Sequence, residues 1–396
     1  MAMILNNKRI LLGVSGSIAS YKALDLTSKL VQNGAIVDVI MTESACKFIT
    51  PLSFQSISRR PVFTNLWDSG HGDIGHIAMG NSTDLAVIAP ATANMIAKLA
   101  HGLADDLLTT TMLATKAKVI IAPAMDGNMY YHPLVQENIN KLVKMGVIIV
   151  GPNEGRLASG LVSKGRLAEP YEILGHIRAV LGKEGDLKGK KIIVTAGGTQ
   201  EPIDPVRIIS NHSSGKMGYA LAEVARDRGA EVTLVTAATS LPMPVSMEIV
   251  PVKTAADMQI AVNQSLKNAD ALIMAAAIAD FRPDIESNQK LKSDKQHLNL
   301  SLTKNPDILG TVKGNFIKVG FAAETQSLET NARKKLLEKD LDFIVANNVI
   351  EIDSGFGSDT NRVVILDKKG DISALPTLPK EEIAERILDR IVEIIQ

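Results

Sequence analysis

The sequence predicts an α/β fold of two Rossmann-like parallel-sheet domains, and three observations carry that prediction. Short apolar runs alternate with helical patterns along the whole chain, the signature of strands that pair in parallel through crossover helices. The first runs of each half end in small, polar or glycine residues, where the carboxyl end of a strand turns toward a ligand. The alternation restarts at Ile192, after the charged, glycine-rich segment GKEGDLKGK (182–190), as expected of a domain boundary. We cut at residue 186, giving domains 1–185 and 186–396.

In the first domain, Arg9 to Val14 reads as an apolar strand, followed by Ser15-Gly16-Ser17 and a helix from about Ala19 to Gln32. A second strand, Ala35 to Met41, ends at Thr42, and a third, Asp84 to Ala89, ends at Pro90-Ala91-Thr92. The first turn is not GxGxxG, and Thr42 stands where an acidic residue would hold the ribose of NAD. NAD is therefore disfavoured. A flavin mononucleotide fits better, its phosphate held by Ser17, Thr42 and backbone amides, with Ser15, Pro90, Ala91 and Thr92 as further cofactor-binding residues. Each hydroxyl alone is as readily a helix cap or turn former; their recurrence at three strand ends points to a ligand. A helix over Glu172–Leu181 closes this half.

The second domain begins with a strand, Ile192 to Ala196, broken by Gly197-Gly198. Pro202 and Pro205 forbid an immediate helix, and the polar run Ser210–Lys216 precedes a helical pattern over Tyr219–Arg228. That run offers several donors and a cation at a helix start, which suits a phosphate or acyl phosphate. It is not a Walker A loop, because Ser210 replaces the first glycine and Met217 the magnesium-binding hydroxyl residue. Strands are expected at Glu231–Thr236, Ala269–Ala277, 343–349 and 363–367, with an amphipathic helix over Lys380–Ile395.

Lysine plus arginine and aspartate plus glutamate both number 43, so no charge excess advertises nucleic acid or an anionic membrane. Cys46 is the single cysteine, no signal peptide opens the chain, and no run approaches the roughly 18 apolar residues of a membrane span. A cytoplasmic protein is expected. No HExxH, paired CxxC or EF-hand pattern occurs, so a metal is expected to arrive with a phosphate ligand, its protein ligands unknown.

The segments GVSGSIASYK (13–22), MTESACKFITPLSF (41–54), GHIAMG (75–80), APATANMIAKLAHGLADDLL (89–108) and APAMDGNMYYHP (122–133) resemble the flavin-dependent cysteine decarboxylase family. The run TAGGTQEPIDPVRIISNHSSGKMG (195–218) resembles the phosphopantothenate–cysteine ligases. Over almost its whole length the chain is thus similar to the bacterial bifunctional proteins of coenzyme A biosynthesis. The resemblance implies an N-terminal flavodoxin-like flavoprotein domain with bound FMN and a C-terminal ligase domain. It also implies 4'-phosphopantothenate, L-cysteine and CTP as substrates, magnesium with the triphosphate, and a homo-oligomer of trimeric flavin domains and dimeric ligase domains.

The resemblance further implies roles for residues. His76 matches the decarboxylases' essential histidine, and Asp126 and Met129 lie in their substrate-binding motif. Ser159, in the segment Gly155–Gly165 that we expect to be flexible, stands where the family commonly has the cysteine that protonates the enethiolate left by decarboxylation. Asp126 stands where the family usually has asparagine. A serine hydroxyl is a far weaker acid than a thiol, and an ionised Asp126 repels a substrate carboxylate. A flavin domain limited to oxidative decarboxylation, or a non-catalytic flavin-binding regulatory subunit, therefore stays open beside the full cycle. In the ligase half, Asn211 matches the residue that stabilises the acyl cytidylate. Lys290, Lys335 and Lys339 match triphosphate-binding lysines. Met274, Ala275, Ala276, Asp280, Pro306, Asp307, Ile308, Leu309 and Phe321 match further substrate-contacting positions.

Overall fold

The computed structural model describes residues 4–67, 75–292, 298–324, 327–348 and 357–395. Two compact units, Met1–Leu181 and Gly182–Gln396, are taken in turn.

The first unit holds β1 (Arg9–Val14), β2 (Ile36–Met41), β3 (Val62–Phe63), β4 (Leu85–Ala91), β5 (Lys118–Pro123) and β6 (Ile148–Ile149). They form a six-stranded sheet ordered β3-β2-β1-β4-β5-β6, parallel at every pairing. Successive side chains of β1 serve opposite faces. Ile10, Leu12 and Val14 pack with Ala23, Leu26 and Leu30 of the helix Ser20–Gln32, whereas Leu11 joins Ile96 and Leu108 on the other side. Cover on both faces explains why β1 reads as an apolar run from Ile10 on and why β2 is interrupted only by Asp38, which is paired with Arg9 and Arg60. The order reverses between β1 and β4, which makes the carboxyl ends of these strands the natural ligand crevice.

The segment Gly155–Gly165, expected to be flexible, lies within a hairpin of β7 (Asn153–Arg156) and β8 (Val162–Arg166). The hairpin's base is fixed by the Met125 N–H, which donates to Gly165 O at 3.0 Å. Gly165, at φ +146°, has no room for a Cβ against the Met125 carbonyl, so a larger residue would lift the hairpin.

The second unit contains β9 (Lys191–Ala196), the hairpin of β10 (Gln200–Pro202) and β11 (Ile208–Ser210), β12 (Glu231–Thr236), β13 (Glu248–Pro251) and β14 (Ala271–Met274). A second small hairpin, β15 (Phe281–Pro283) with β16 (Leu302–Lys304), precedes β17 (Ile317–Glu324) and β18 (Phe343–Asn348). β19 (Thr360–Asn361), β20 (Val363–Asp367) and β21 (Ile372–Ala374) follow. The main sheet runs β13-β12-β9-β14-β17-β18-β20-β21, parallel as far as β18 and antiparallel at β20 and β21.

One expectation is corrected in this unit. The strand over Ala269–Ala277 is regular only from Ala271 to Met274, because Thr195 Oγ1 accepts the Ala276 N–H at 3.1 Å and Thr199 Oγ1 the Ala279 N–H at 3.0 Å. These two bonds interrupt the regular ladder with β9, which a bridge between Gly198 and Ala277 resumes. The proline-bearing stretch after β9, where Pro202 and Pro205 forbid an immediate helix, forms the antiparallel pair β10–β11. The boundary segment is fastened to the second unit: Leu187 is fully buried, and Asp186 holds Arg228 at 2.6 Å.

The helix Lys216–Asp227 starts earlier than its apolar pattern suggests. Its approach to β9 depends on Gly218, where a Cβ would stand 2.8 Å from Thr195 O. A side chain there would push the helix start away from the crevice. Among the described residues, no helix is long and apolar enough to cross a membrane.

Candidate functional site

In the first unit, three neighbouring strand ends are tied together by hydroxyls. Ser15 Oγ donates to Pro90 O at 2.8 Å and accepts the Thr92 N–H at 3.0 Å, coupling the loop after β1 to that after β4. The Thr42 N–H donates to Val14 O at 3.0 Å. Thr42 and Thr92 cap short helices by accepting the N–H groups of Ala45 and Met95, and Ser17 Oγ accepts the Ala19 N–H. A capping hydroxyl uses a lone pair and keeps its O–H for an anion, so capping and phosphate binding are compatible for Ser17 and Thr42. Ala91 is buried beneath the loop, and the Ala89–Pro90 peptide is cis. Gly16 has no room for a Cβ against Ser44, which holds this turn tightly over the crevice. Small residues, hydroxyls and a close backbone turn fit a flavin phosphate.

The turn after β5 joins this edge through the Ala124 N–H, which donates to Ala91 O at 2.9 Å. It carries Asp126 and the half-exposed Met129. Asp126 accepts the Asn128 N–H at 3.0 Å and, on Oδ2, the hydroxyl of Ser159 at 2.8 Å. The Ser159 hydroxyl, then the Asn128 N–H, hold the Asp126 carboxyl below the usual carboxylate range. The two positions at which the sequence departs from the resembled family are thus hydrogen-bonded to each other. His76 is the half-buried second residue of the helix Gly75–Ser82; the residues just before this helix lie outside the described set.

The second unit encloses a cavity of about 790 Å³ at the carboxyl ends of β9, β14 and β17. Its lining includes Asn211, Met274, Ala275, Ala276, Asp280, Pro306, Asp307, Ile308, Leu309, Phe321, Lys335 and Lys339, which the sequence scatters over more than a hundred positions. Asn211 Nδ2 donates to Ile278 O at 3.1 Å, orienting its amide. Asn305, a residue that sequence reasoning missed, clamps the same loop: its Nδ2 donates to Ala279 O at 2.8 Å and its N–H to Asp280 O at 2.8 Å. Thr195 and Thr199 support the loop from β9's side, and their position after a strand in TAGGT was the signal available.

The cavity's lysines are held by carboxylates. Lys335 Nζ stands 2.7 Å from Glu324 Oε1 and Lys339 Nζ 2.8 Å from Asp307 Oδ1. Burial pushes the Asp307 carboxyl up, but Lys339 and the Gly310 N–H outweigh it and keep it low. An arriving polyphosphate can take over both ammonium groups. Lys290 does not line the cavity; it is exposed, at the start of a loop whose residues 293–297 lie outside the described set. The Leu291 N–H donates to Asp204 Oδ2 at 3.1 Å, so the buried Asp204 anchors this loop's base. Lys216, the cation that the polar run Ser210–Lys216 sets at a helix start, lines the cavity, as does Lys380, which sequence reasoning missed.

Residues 3–182 match the family described as Flavoprotein, and residues 187–395 match the DNA/pantothenate metabolism flavoprotein C-terminal domain. The chain is 49% identical over 395 residues to the coenzyme A biosynthesis bifunctional protein CoaBC of Bacillus subtilis, covering 98% of this chain and 97% of that one. It is 44% identical over 398 residues to the protein of that name from Escherichia coli K12, covering 98% of each. Among solved structures, the crystal structure of the C-terminal domain of a CoaBC protein is 42% identical, covers 53% of this chain and 98% of that one, and has a TM-score of 0.46.

Proposed function

The chain belongs to the family of coenzyme A biosynthesis bifunctional proteins, and on that premise we propose that it performs two consecutive reactions. Residues 186–396 condense 4'-phosphopantothenate with cysteine, consuming CTP. Residues 1–185 decarboxylate the resulting phosphopantothenoylcysteine to 4'-phosphopantetheine with FMN.

The observation that carries the ligase reading is the cavity of the second unit. A free carboxylate resists attack by an amine, so a phosphopantothenate oxygen first attacks the α-phosphate of CTP and pyrophosphate leaves. Cysteine's amine then displaces CMP from the acyl cytidylate. Asn211, its amide oriented by Ile278 O, has a second N–H for the charge that develops on the acyl cytidylate. The backbone of Met274–Ala276, with Asp280, Pro306–Leu309 and Phe321, contacts the nucleotide. Lys335 and Lys339, joined by Lys290 from its loop, meet the triphosphate, and magnesium arrives with it.

In the first domain, Ser17 and Thr42 hold the FMN phosphate, Ser15 fixes the cofactor-binding turn through its bonds to Pro90 O and the Thr92 N–H, and Pro90, Ala91 and Thr92 wall the site. When bound, FMN supplies a reversible two-electron acceptor for the carbon that bears the substrate's thiol. His76 moves the proton of that thiol, a role suited to imidazole near neutral pH. Asp126, Met129 and Ser159 face the substrate's cysteinyl end. The Ser159–Asp126 hydrogen bond favours a second reading of this half, oxidative decarboxylation without efficient return to the saturated thiol, because a hydroxyl already donating to a carboxylate is a poor acid. We place the protein in the cytoplasm as a homo-oligomer, with trimeric flavin domains and dimeric ligase domains.

The deciding experiment supplies phosphopantothenate, carboxyl-labelled cysteine, CTP and magnesium to the purified flavin-loaded chain. Release of CMP, pyrophosphate, labelled carbon dioxide and 4'-phosphopantetheine is expected. Release of CMP without carbon dioxide would leave only the ligase.

A further inference from the structure

The ligase reaction brings together two highly charged substrates, and the lysines assigned so far serve only the triphosphate. Phosphopantothenate carries its reacting carboxylate at one end and a phosphate monoester at the other. A dianion at the edge of a cavity needs cations of its own. The cavity contains a second basic cluster that shares no partner with Lys335 or Lys339.

Lys216 opens the helix Lys216–Asp227, and Lys380 opens the helix Lys380–Ile395. Both line the cavity. Their ammonium groups converge on three consecutive residues. Lys216 Nζ donates to Gly357 O at 2.8 Å and meets Asp359 Oδ1 at 2.6 Å, while Lys380 Nζ donates to Ser358 O. Lys216 thus meets one carboxylate, Asp359, and Lys380 a backbone oxygen. That carboxylate is 89% exposed, so water competes strongly for it and its hold is weak.

Lys380 itself is only 8% exposed. Burial, then the charge of neighbouring Lys216, pushes its ammonium pKa down: the pair lacks countercharge. Asn361 adds an independent sign of a missing ligand. It is 6% exposed and lines the cavity; its oxygen accepts the Arg362 N–H, and its amide hydrogens have no partner among the described residues. The start of the helix Lys216–Asp227, whose first residues also line the cavity, brings further free N–H groups.

We propose that Lys216, Lys380 and Asn361 form a phosphate-monoester subsite that receives the 4'-phosphate of phosphopantothenate, with Asp359 occupying Lys216 until the substrate displaces it. The proposal rests on the ligase reading above. It divides the cavity's lysines between the two substrates, with Lys335 and Lys339 serving the nucleotide and Lys216 and Lys380 the acyl substrate.

Equilibrium titration tests this without turnover. Phosphopantothenate, pantothenate and CTP with magnesium are titrated separately into the full chain and into its Lys216→Met, Lys380→Met, Lys380→Arg and Asp359→Asn variants. Each methionine variant is expected to weaken phosphopantothenate binding about 10- to 100-fold, the range for a lost charged hydrogen bond. CTP should stay within about twofold, and the weak binding of pantothenate should not change. Lys380→Arg should keep most of the affinity, and Asp359→Asn should bind phosphopantothenate at least as tightly as the unaltered chain. Unchanged phosphopantothenate affinity in folded methionine variants overturns the subsite. So does an equal loss for CTP, which would assign these lysines to the triphosphate. If the unaltered chain binds neither phosphopantothenate nor CTP, the ligase reading itself fails, a result distinct from either of those.

Discussion

Ser159 Oγ donates a hydrogen bond to Asp126 Oδ2 at 2.8 Å, joining the tip of the β7–β8 hairpin to the turn after β5. A proton already shared with an anion is harder to release, so this contact makes Ser159 a still weaker acid than an isolated serine. If Ser159 is the sole proton donor, phosphopantothenoylcysteine loses carbon dioxide and then accumulates the unsaturated thiol, and Ser159→Cys speeds formation of the saturated product by about 10²-fold or more, the scale of general-acid catalysis. Single-turnover mass spectrometry of the unaltered chain, Ser159→Cys, Asp126→Asn and the double variant reads this directly. Rapid saturated product from the unaltered chain would show that another donor serves.

The same contact predicts a pH dependence. The Asp126 carboxyl is held below its ordinary value by the Ser159 hydroxyl and then the Asn128 N–H. A depressed pKa stabilises above the unfolded value, about 4, and that contribution is lost as pH falls through the lowered folded value. The hairpin tip should thus show constant amide-exchange protection from pH 8 to about 5 and lose it only in stronger acid. Loss of protection near pH 6 would contradict the assignment.

Gly16 lies against Ser44 without space for a Cβ, at the turn assigned to the flavin phosphate. Gly16→Val should displace this turn and yield a colourless protein whose CTP-dependent ligation is unchanged. Visible absorbance and CMP release check the two halves separately. A variant that stays yellow with full flavin content would remove this turn from the flavin site.

Asn211→Asp places a negative charge beside the acyl cytidylate and should slow ligation by about 10²–10³-fold, as for loss of a donor to a developing anion. Wild-type rates in that variant would take Asn211 out of the mechanism. Faster turnover with ATP than with CTP would sink the assigned nucleotide.

Arg228, mostly buried, binds Asp186, Glu385 and Asp389 and so joins the start of the second unit to its last helix. Arg228→Met leaves these carboxylates without a partner and should destabilise the second unit by about 3 kcal/mol, the low end for a broken buried ion pair because the acids keep some water. Denaturation of the second unit should show the loss, while the flavin-linked transition stays in place.

Local pattern was enough to read β1, β9, β12 and β20 and the helix Lys380–Ile395, because side-chain periodicity follows backbone geometry and needs no distant partner. The motifs at the strand ends were legible for the same reason: a turn after a strand calls for particular residues wherever it occurs. By itself the sequence thus determined the alternating architecture, the restart near residue 190 and the family the chain resembles. Only the tertiary structure decided that Ser159 meets Asp126 across 33 residues and Lys216 meets Asp359 across 143. It also ended the regular strand β14 at Met274, through hydroxyls on β9 and in the loop after it that no local pattern around Ala276 encodes. The physical reason is that the charge state of an acid and the partners of a lysine depend on which groups lie within a few ångströms, and folding alone sets that proximity.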